Sequence, residues 1–398
     1  MPKVNHLDNN IKLEGKRVLI RTDFNVPLNN GYITEASRIK KVLPTIKFLV
    51  NSKAKIIIIS HIGRPKGKNV PSLSLEPIAK KLKDLLNKNV FFLDKTVGIE
   101  VVEKSKKISN GEILVLENLR FHKEEELNSE SFAKELSKNG DIFVNEAFSC
   151  SHRAHASVSE ITKHIKSFAG KQLTEEVNSI KMITIDAKKP VSCIIGGSKI
   201  STKIGVLSNL IKKMENIVIV GAMANNFIKH KKFNIGKSLF EKNAENLIEN
   251  IIKQSEIHNC KLIIPNDVIV SKDLNSEGAL KNLNEINDSD IILDIGSKTV
   301  EIISKIIDNS KTVLWNGPAG YFEIDEFSKG TNEIARKIAE NTKSKSLTSI
   351  VGGGDTVAAI NKFKCFNDFT YISTAGGAFL ELLEGKILPG IKSLEINE

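Results

Sequence analysis

The feature that most constrains the fold is a recurrence of short aliphatic runs, each closed by polar or glycine-rich residues and followed by a stretch with helical spacing of its apolar positions. That alternation is the sequence form of parallel α/β units, in which strands covered on both faces are joined by amphipathic helices. Residues 56–59 are consecutive isoleucines, as such a doubly buried strand requires. Further strands are expected at 18–20, 113–116, 142–144, 191–195, 217–220, 262–264, 291–293, 313–315 and 349–351. These are too many for one small sheet. A chain of 398 residues with 40% hydrophobic content is globular and exceeds the span of one core, so two domains are expected.

The boundary between them is marked by Ala169-Gly170 and by residues 171–185, in which Leu173, Val177 and Ile180 share one helical face, before Lys188-Lys189-Pro190 ends the segment. The expected division is 1–170, a connecting helix at 171–187, and a second domain at 188–376. Residues 377–398 begin as a helix and end as an extended arm. Thr34 is expected to cap a helix in which Ile39, Val42, Leu43, Ile46, Leu49 and Val50 recur at helical spacing, with Arg38 in its first turn and Pro44 as a possible kink.

Ligands of open parallel sheets bind beyond the carboxyl ends of the strands, and the two halves differ there. In the first half the strands lead into arginine and histidine, in RTDFNVP, SHIGRP, LENLRF and SHRAHAS. In the second they lead into glycine turns, in GGSKISTK, GAMAN, NGPAGYFE and GGGDTVAAI. Asp23 and Asn25 alternate along an extended stretch and face one way, while Arg38, His61, Arg64, Arg120 and Arg153 complete a set suited to a small phosphorylated acid, because guanidinium forks bind carboxylate and phosphate bidentately. Gly196 and Gly197 let amides approach a phosphate, and Lys199 and Lys203, four apart, are expected on one face of the helix that follows. Gly353, Gly354, Asp355 and Thr356 repeat the arrangement, with a hydroxyl for phosphate and a carboxylate for Mg²⁺.

Several function classes are disfavoured. The net charge of +11 invites a nucleic-acid reading, but lysines are scattered and aromatics reach only 6%, so no stacking platform is present. The nearest approach to a Walker A motif, Asn234-Ile235-Gly236-Lys237-Ser238, has Lys231 where the first glycine must stand. Cys150, His152 and His155 offer metal ligands, yet a fourth is absent nearby and Arg153 lies among them. The cysteines form no CxxC pair, and MPKVNHLDNNIKLEGKR carries no apolar leader, so a cytoplasmic protein without membrane or nucleic-acid partners is expected.

Taken in order, RTDFNVP, SHIGRP, LENLRF, SHRAHAS, GGSKISTK, NIGKS, LWNGPAGYFE, GGGDTVAAI and STAGGAFLELLEG resemble the phosphoglycerate kinase family across nearly the whole chain. The resemblance implies two Rossmann-like domains with a cleft between them, residues 377–398 packed back on the first, and a monomer. It also implies reversible, Mg²⁺-dependent transfer of a phosphoryl group from 1,3-bisphosphoglycerate to ADP, with hinge closure and no general base. By matching position, Asp23 and Asn25 would bind the glycerate, His61, Arg64, Arg120 and Arg153 the phosphate that stays, and Arg38 the carboxyl end. Lys203 would meet the nucleotide phosphates and Lys199 the transferring group, with Asn316 and Gly353 to Thr356 around phosphates and metal. Glu323 would take the ribose, and Gly197, Gly221 and Gly296 the remaining nucleotide contacts. Ala222, Ala319 and Ala375 depart from residues common in the family. The competing readings are another kinase or ligase of small carboxylic acids, and a basic nucleic-acid-binding protein.

Overall fold

The computed structural model describes residues 3–29 and 31–396, so the extreme ends of the expected first domain and of the arm lie outside the described residues. The chain divides into two compact units, residues 1–177 with 387–398, and residues 178–386. The division falls inside a helix, Lys171–Thr184, that carries the chain from one unit to the other. Residues 377–386 pack within the second unit, where Asn209 donates to the carbonyl of Leu383 at 2.6 Å.

The first unit is built on a parallel sheet in the order Val90–Leu93, Ile113–Leu116, Lys55–Ile59, Arg17–Arg21, Ile142–Asn145, Ser167–Ala169. The isoleucine run lies at its centre and serves both faces, as the period of a strand dictates. Ile56 and Ile58 pack with Ile39, Val42 and Ile46 of the helix Ser37–Asn51. Ile57 and Ile59 turn the other way, into a cluster with Val101, Leu119 and Leu136.

The second unit repeats the plan, in the order Lys261–Ile263, Asn216–Ile219, Val191–Ile195, Thr312–Asn316, Thr348–Gly352, Tyr371–Ser373, again parallel. Beside it stands an antiparallel sheet of Ala279–Asn282, Asp267–Ser271 and Ile291–Ile295. Each expected strand forms, but 291–293 belongs to this small sheet and not to the parallel one. The strands that the sequence reading missed in the parallel sheets are edges: Val90–Leu93, half-buried throughout, and the three-residue Ser167–Ala169 and Tyr371–Ser373. Ser167–Ala169 and Tyr371–Ser373 are too short to stand out by periodicity, whereas Val90–Leu93 is an apolar run of the same length as Ile113–Leu116 and was overlooked.

Thr34 does not cap the Arg38 helix. The helix starts at Ser37 after Ala36, and the Glu35 carboxylate accepts from the Ser37 amide at 2.5 Å, whereas the Thr34 hydroxyl donates to the carbonyl of Pro27 at 3.3 Å. Arg38 is in the first turn and Pro44 lies within the helix. Among the described residues no helix is long and apolar enough to cross a membrane.

Because Ile57 is fully buried at the centre of its sheet, Ile57→Ala is expected to lower unfolding stability by about 2–5 kcal/mol through lost burial and residual cavity. Urea unfolding checks this, and a loss below ~1 kcal/mol would show that the sheet relaxes around the gap.

Candidate functional site

Parallel pairing brings the carboxyl ends of the first unit's strands to one edge, so residues 22–25, 60–64, 117–120 and 146–153 gather there. Asp23 is nearly buried, and its carboxylate accepts from the amide of Asn25 at 3.0 Å, from the guanidinium of Arg38 and from the hydroxyl of Ser149. Asn25 in turn accepts from the amide of Gly63 at 2.9 Å, while the Gly63 carbonyl accepts from Arg120 at 2.8 Å. Gly63 has φ +63°, and a Cβ there would meet Leu73 at 2.8 Å, so glycine is required at this junction.

Behind these residues lies Arg21, with no solvent exposure. It donates to Ser157 Oγ at 2.8 Å and to the carbonyl of Thr22, and its Nη2 is 3.9 Å from Glu125 Oε1. The same nitrogen lies 3.3 Å from His61 Nδ1. A guanidinium only donates, so Nδ1 accepts and the His61 proton sits on Nε2. Burial, followed by the charges of Arg21, Arg120 and Arg38, holds the His61 pKa well below its ordinary value, and the ring is neutral. His155 is governed the same way, with burial first and then Arg21, Arg120 and Arg153 lowering it to about 3.

Arg64 and Arg153 are exposed at the same edge. Arg64 directly follows Gly63, and Arg153 donates to His152 at 3.2 Å. Donor atoms of Asp23, His61 and Cys150 lie within 4.8 Å of one another, a grouping that the sequence reading did not assemble. Arg38 pairs with that aspartate and Arg21 with that histidine, so the surroundings favour an anion over a cation.

In the second unit the corresponding edge is made of glycine turns. Gly196 and Gly317 pass so closely that a Cβ on Gly317 would stand 2.4 Å from the carbonyl oxygen of Gly196. The Lys203 ammonium donates to Asn316 Oδ1, and Asn316 Nδ2 donates to the carbonyl of Gly352 at 2.6 Å. Thr356, fully buried, accepts from the amide of Gly317 at 2.7 Å and donates to the Gly352 carbonyl at 3.0 Å. Gly353 has φ +99° and Gly354 starts the helix Gly354–Lys362, with Asp355 exposed in its first turn. Burial lowers the Lys203 pKa, while Cys193 and Asp355 act to raise it.

A cavity of about 550 Å³ opens beside this network, lined by Gly197, Gly221, Glu323 and Asp355 among the expected residues, with Leu239 and Ile292 among its apolar walls. Gly296 is not in the lining; its Cα faces the Asp267 carboxylate, and its neighbour Ile295 lines the cavity instead. Lys199 departs from expectation too. The helix runs only from Ile204 to Leu210, and a turn closed by the Lys203 amide on the Ile200 carbonyl at 2.9 Å precedes it. Lys199 is therefore exposed ahead of the helix, and helical spacing does not align it with Lys203.

The sequence reading missed Arg21, Glu125, Ser149 and Ser157. Arg21 had a usable signal: it stands two residues before Asp23 and four before Asn25, in the same alternation. Glu125 had none, because nothing local distinguishes it within Glu124-Glu125-Glu126.

The phosphoglycerate kinase family profile matches residues 8–386. A phosphoglycerate kinase of Wolbachia pipientis from Culex pipiens is 48% identical over 381 residues, covering 95% of this chain and 96% of that protein. Another from Finegoldia magna is 44% identical over 389 residues, covering 97% and 98%. Among solved structures, the phosphoglycerate kinase of Coxiella burnetii superposes with a TM-score of 0.90 at 40% identity, over 97% of each chain. That of Pyrococcus horikoshii gives 0.81 at 30% identity, over 98% of each.

The depressed pKa of His155 has a consequence for stability. The unfolded chain takes up its proton near the ordinary value of 6.5, the folded chain only near about 3, so the contribution of this residue is present above pH 6.5 and is lost as pH falls through that window. The His155 ring is expected to remain neutral from pH 8 to pH 5 by NMR; a midpoint above 5 would contradict the arrangement.

Proposed function

The chain belongs to the phosphoglycerate kinase family, and from that premise we propose which of its residues perform the reaction. The activity is reversible phosphoryl transfer between 1,3-bisphosphoglycerate and ADP, giving 3-phosphoglycerate and ATP, the carboxyl-acceptor kinase step of glycolysis. In our reading the acid is held by the first unit and the nucleotide by the second. The observation carrying this is the contrast between the two strand-end sites: guanidinium and imidazole side chains converge at one, glycine amides, Lys203 and a cavity with apolar walls at the other.

Arg120, Arg64 and Arg153, with neutral His61 donating from Nε2, bind the phosphate that is not transferred. Asp23 and Asn25 take the glycerate hydroxyl and hold the loop of Gly63 in register. The attacking group in the direction of ATP consumption is a carboxylate, already ionised at neutral pH, so no general base is needed. What remains is alignment and charge neutralisation, which suits Arg38 at the carboxyl end of the acid and Lys199 and Lys203 on the phosphoryl oxygens. Arg38 is shared at rest with Asp23, so substrate competes for a guanidinium that is already oriented. Since acid and nucleotide are assigned to separate units, turnover requires a closing motion that also keeps water from the acyl phosphate.

Gly197, Gly221, Gly353 and Gly354 supply close main-chain approach to the nucleotide, Asn316 and Thr356 brace the turns beside the phosphates, and Glu323 meets the ribose. Gly296 keeps a supporting role behind the cavity wall. The Asp355 carboxylate lines the cavity and interacts with Lys203, and it is a hard oxygen ligand of the kind Mg²⁺ takes together with phosphate oxygens and water. Bound there, the ion would neutralise phosphate charge. We assign the enzyme to the cytoplasm, as a monomer acting on small molecules without a nucleic-acid or membrane partner.

Mg²⁺-dependent ATP formation from ADP and 1,3-bisphosphoglycerate by the folded chain tests the reading. Arg38→Ala is expected to lower kcat by on the order of 10³, the lower range for a cationic stabiliser of phosphoryl transfer. A change confined to KM would remove Arg38 from the transition state. Asp355→Asn is expected to raise the Mg²⁺ concentration needed for half-maximal rate, and an unchanged Mg²⁺ dependence would reassign the metal ligand.

A further inference from the structure

Glu146 has no part in the chemistry above, yet it is among the most completely enclosed carboxylates of the first unit, at 2% exposure. It directly follows the strand Ile142–Asn145, and its amide donates to the Arg21 carbonyl at 2.8 Å. Its carboxylate collects donors from two helices. One is the hydroxyl of Thr45, from the helix Ser37–Asn51 that bears Arg38. The others are the amides of Gln172 at 3.1 Å and Leu173 at 3.4 Å, in the first turn of Lys171–Thr184. Those amides have no partner inside their own helix, so a carboxylate from a distant strand end caps it.

Two further observations indicate that this is a built joint. Gly170 leaves the space the carboxylate occupies, because a Cβ there would stand 1.8 Å from Glu146 Oε2. Thr45 lies seven residues beyond Arg38 in one helix, close to two full turns, so the two side chains share a face. A shift of Thr45 relative to the strand ends is therefore a shift of Arg38 relative to Asp23.

We propose that Glu146 is a positioning residue for phosphoryl transfer: by tying Thr45 to the first turn of the connecting helix and its own backbone to Arg21, it fixes where the Arg38 helix lies against the strand ends that hold the acid. The inference rests on the reading that Arg38 meets the acid. Glu146 acts through Arg38 and not on the substrate.

The joint also responds to pH. Burial raises the Glu146 pKa to about 7, against hydrogen bonds from Thr45, Gln172 and Leu173 that lower it, while Glu175 on the connecting helix raises it further. Further charges on these two helices are Lys41 and Arg38 on the Arg38 helix, and Glu176 and Lys171 on the connecting helix, the latter with its ammonium 4.1 Å from the Phe48 ring centroid. The ionised carboxylate is the stronger acceptor for all of its donors, so the joint tightens as pH rises through that value. Losing the Thr45 bond moves the step to higher pH.

Steady-state kinetics on Thr45→Val, Thr45→Ser and Glu146→Gln test this, with Arg38→Ala as reference and thermal unfolding as the check on folding. Thr45→Val removes the hydroxyl at nearly constant shape and leaves the helix cap in place. It is expected to lower kcat about tenfold, within the ~10²-fold that a ~1 Å misplacement costs, with KM for ATP unchanged and Thr45→Ser restoring the rate. The step near pH 7 in kcat, read at saturating substrates, should move upward in Thr45→Val and vanish in Glu146→Gln. A folded Thr45→Val with wild-type kcat, or with its loss confined to KM for ATP, overturns the proposal. Full activity of Arg38→Ala would instead overturn the reading on which it rests.

Discussion

A guanidinium with no contact with solvent organises the first unit. Burying a charge is costly unless it is paired and hydrogen-bonded, and Arg21 meets that demand with the carbonyl of its neighbour Thr22 and with two partners distant in sequence, the Ser157 hydroxyl and the Glu125 carboxylate. Glu125 is equally enclosed and accepts from the amide and hydroxyl of Ser157 at 3.0 and 2.6 Å. Removing one partner of such a pair generally costs about 3–5 kcal/mol, because the other is left uncompensated. The end of the strand Arg17–Arg21, the short helix Lys123–Glu126 and the turn at Ser157 are thus obliged to meet at one place.

The electrostatic consequence is as important as the mechanical one. With Arg21 matched by Glu125, Arg38 by Asp23 and Arg120 by Glu126 at 3.4 Å, and with His61 and His155 held neutral by burial and the surrounding guanidinium groups, the four guanidinium groups Arg38, Arg64, Arg120 and Arg153 still outnumber the carboxylates beside them. A small polyanion neutralises that excess, whereas a cation adds to it. Both imidazoles then stay neutral across the ordinary pH range, His61 with its proton on Nε2. The corresponding edge of the second unit is built in another way, from the main chain. Gly196 and Gly317 approach within a distance no side chain permits, and Gly353 takes a left-handed conformation before a helix start. Side chains suit a compact acid with two anionic ends, and amides with apolar walls suit a nucleotide.

The doubly buried strands were legible because each is a short run of aliphatic residues, and the isoleucines at 56–59 pack on both faces as their pattern requires. Ser167–Ala169 and Tyr371–Ser373 were not, since three residues are too few to leave a pattern. Residues 291–293 have the same aliphatic character as a parallel strand and pair antiparallel, because register and direction are set by partners distant in sequence. Most residues of the first unit's strand-end cluster were readable from position, at the ends of strands. What sequence could not supply were groups that act only through others: Glu125 is one of three consecutive glutamates, and Glu146 follows its strand without any local mark. Lys199 was misjudged because helical spacing was extended across a turn, which the short helix Ile204–Leu210 does not include.

The central claim is that the acid and the nucleotide are recognised by different units through different chemistry. Amide NMR of the deuterated chain, titrated with 3-phosphoglycerate alone and then with Mg²⁺-ADP alone, addresses it most directly. The account predicts that 3-phosphoglycerate perturbs Asp23, Gly63 and Arg120 while leaving Gly197, Gly221 and Gly353 in place, and that Mg²⁺-ADP does the reverse. Perturbation of the glycine turns by the acid alone, or of the arginine site by the nucleotide alone, would contradict it.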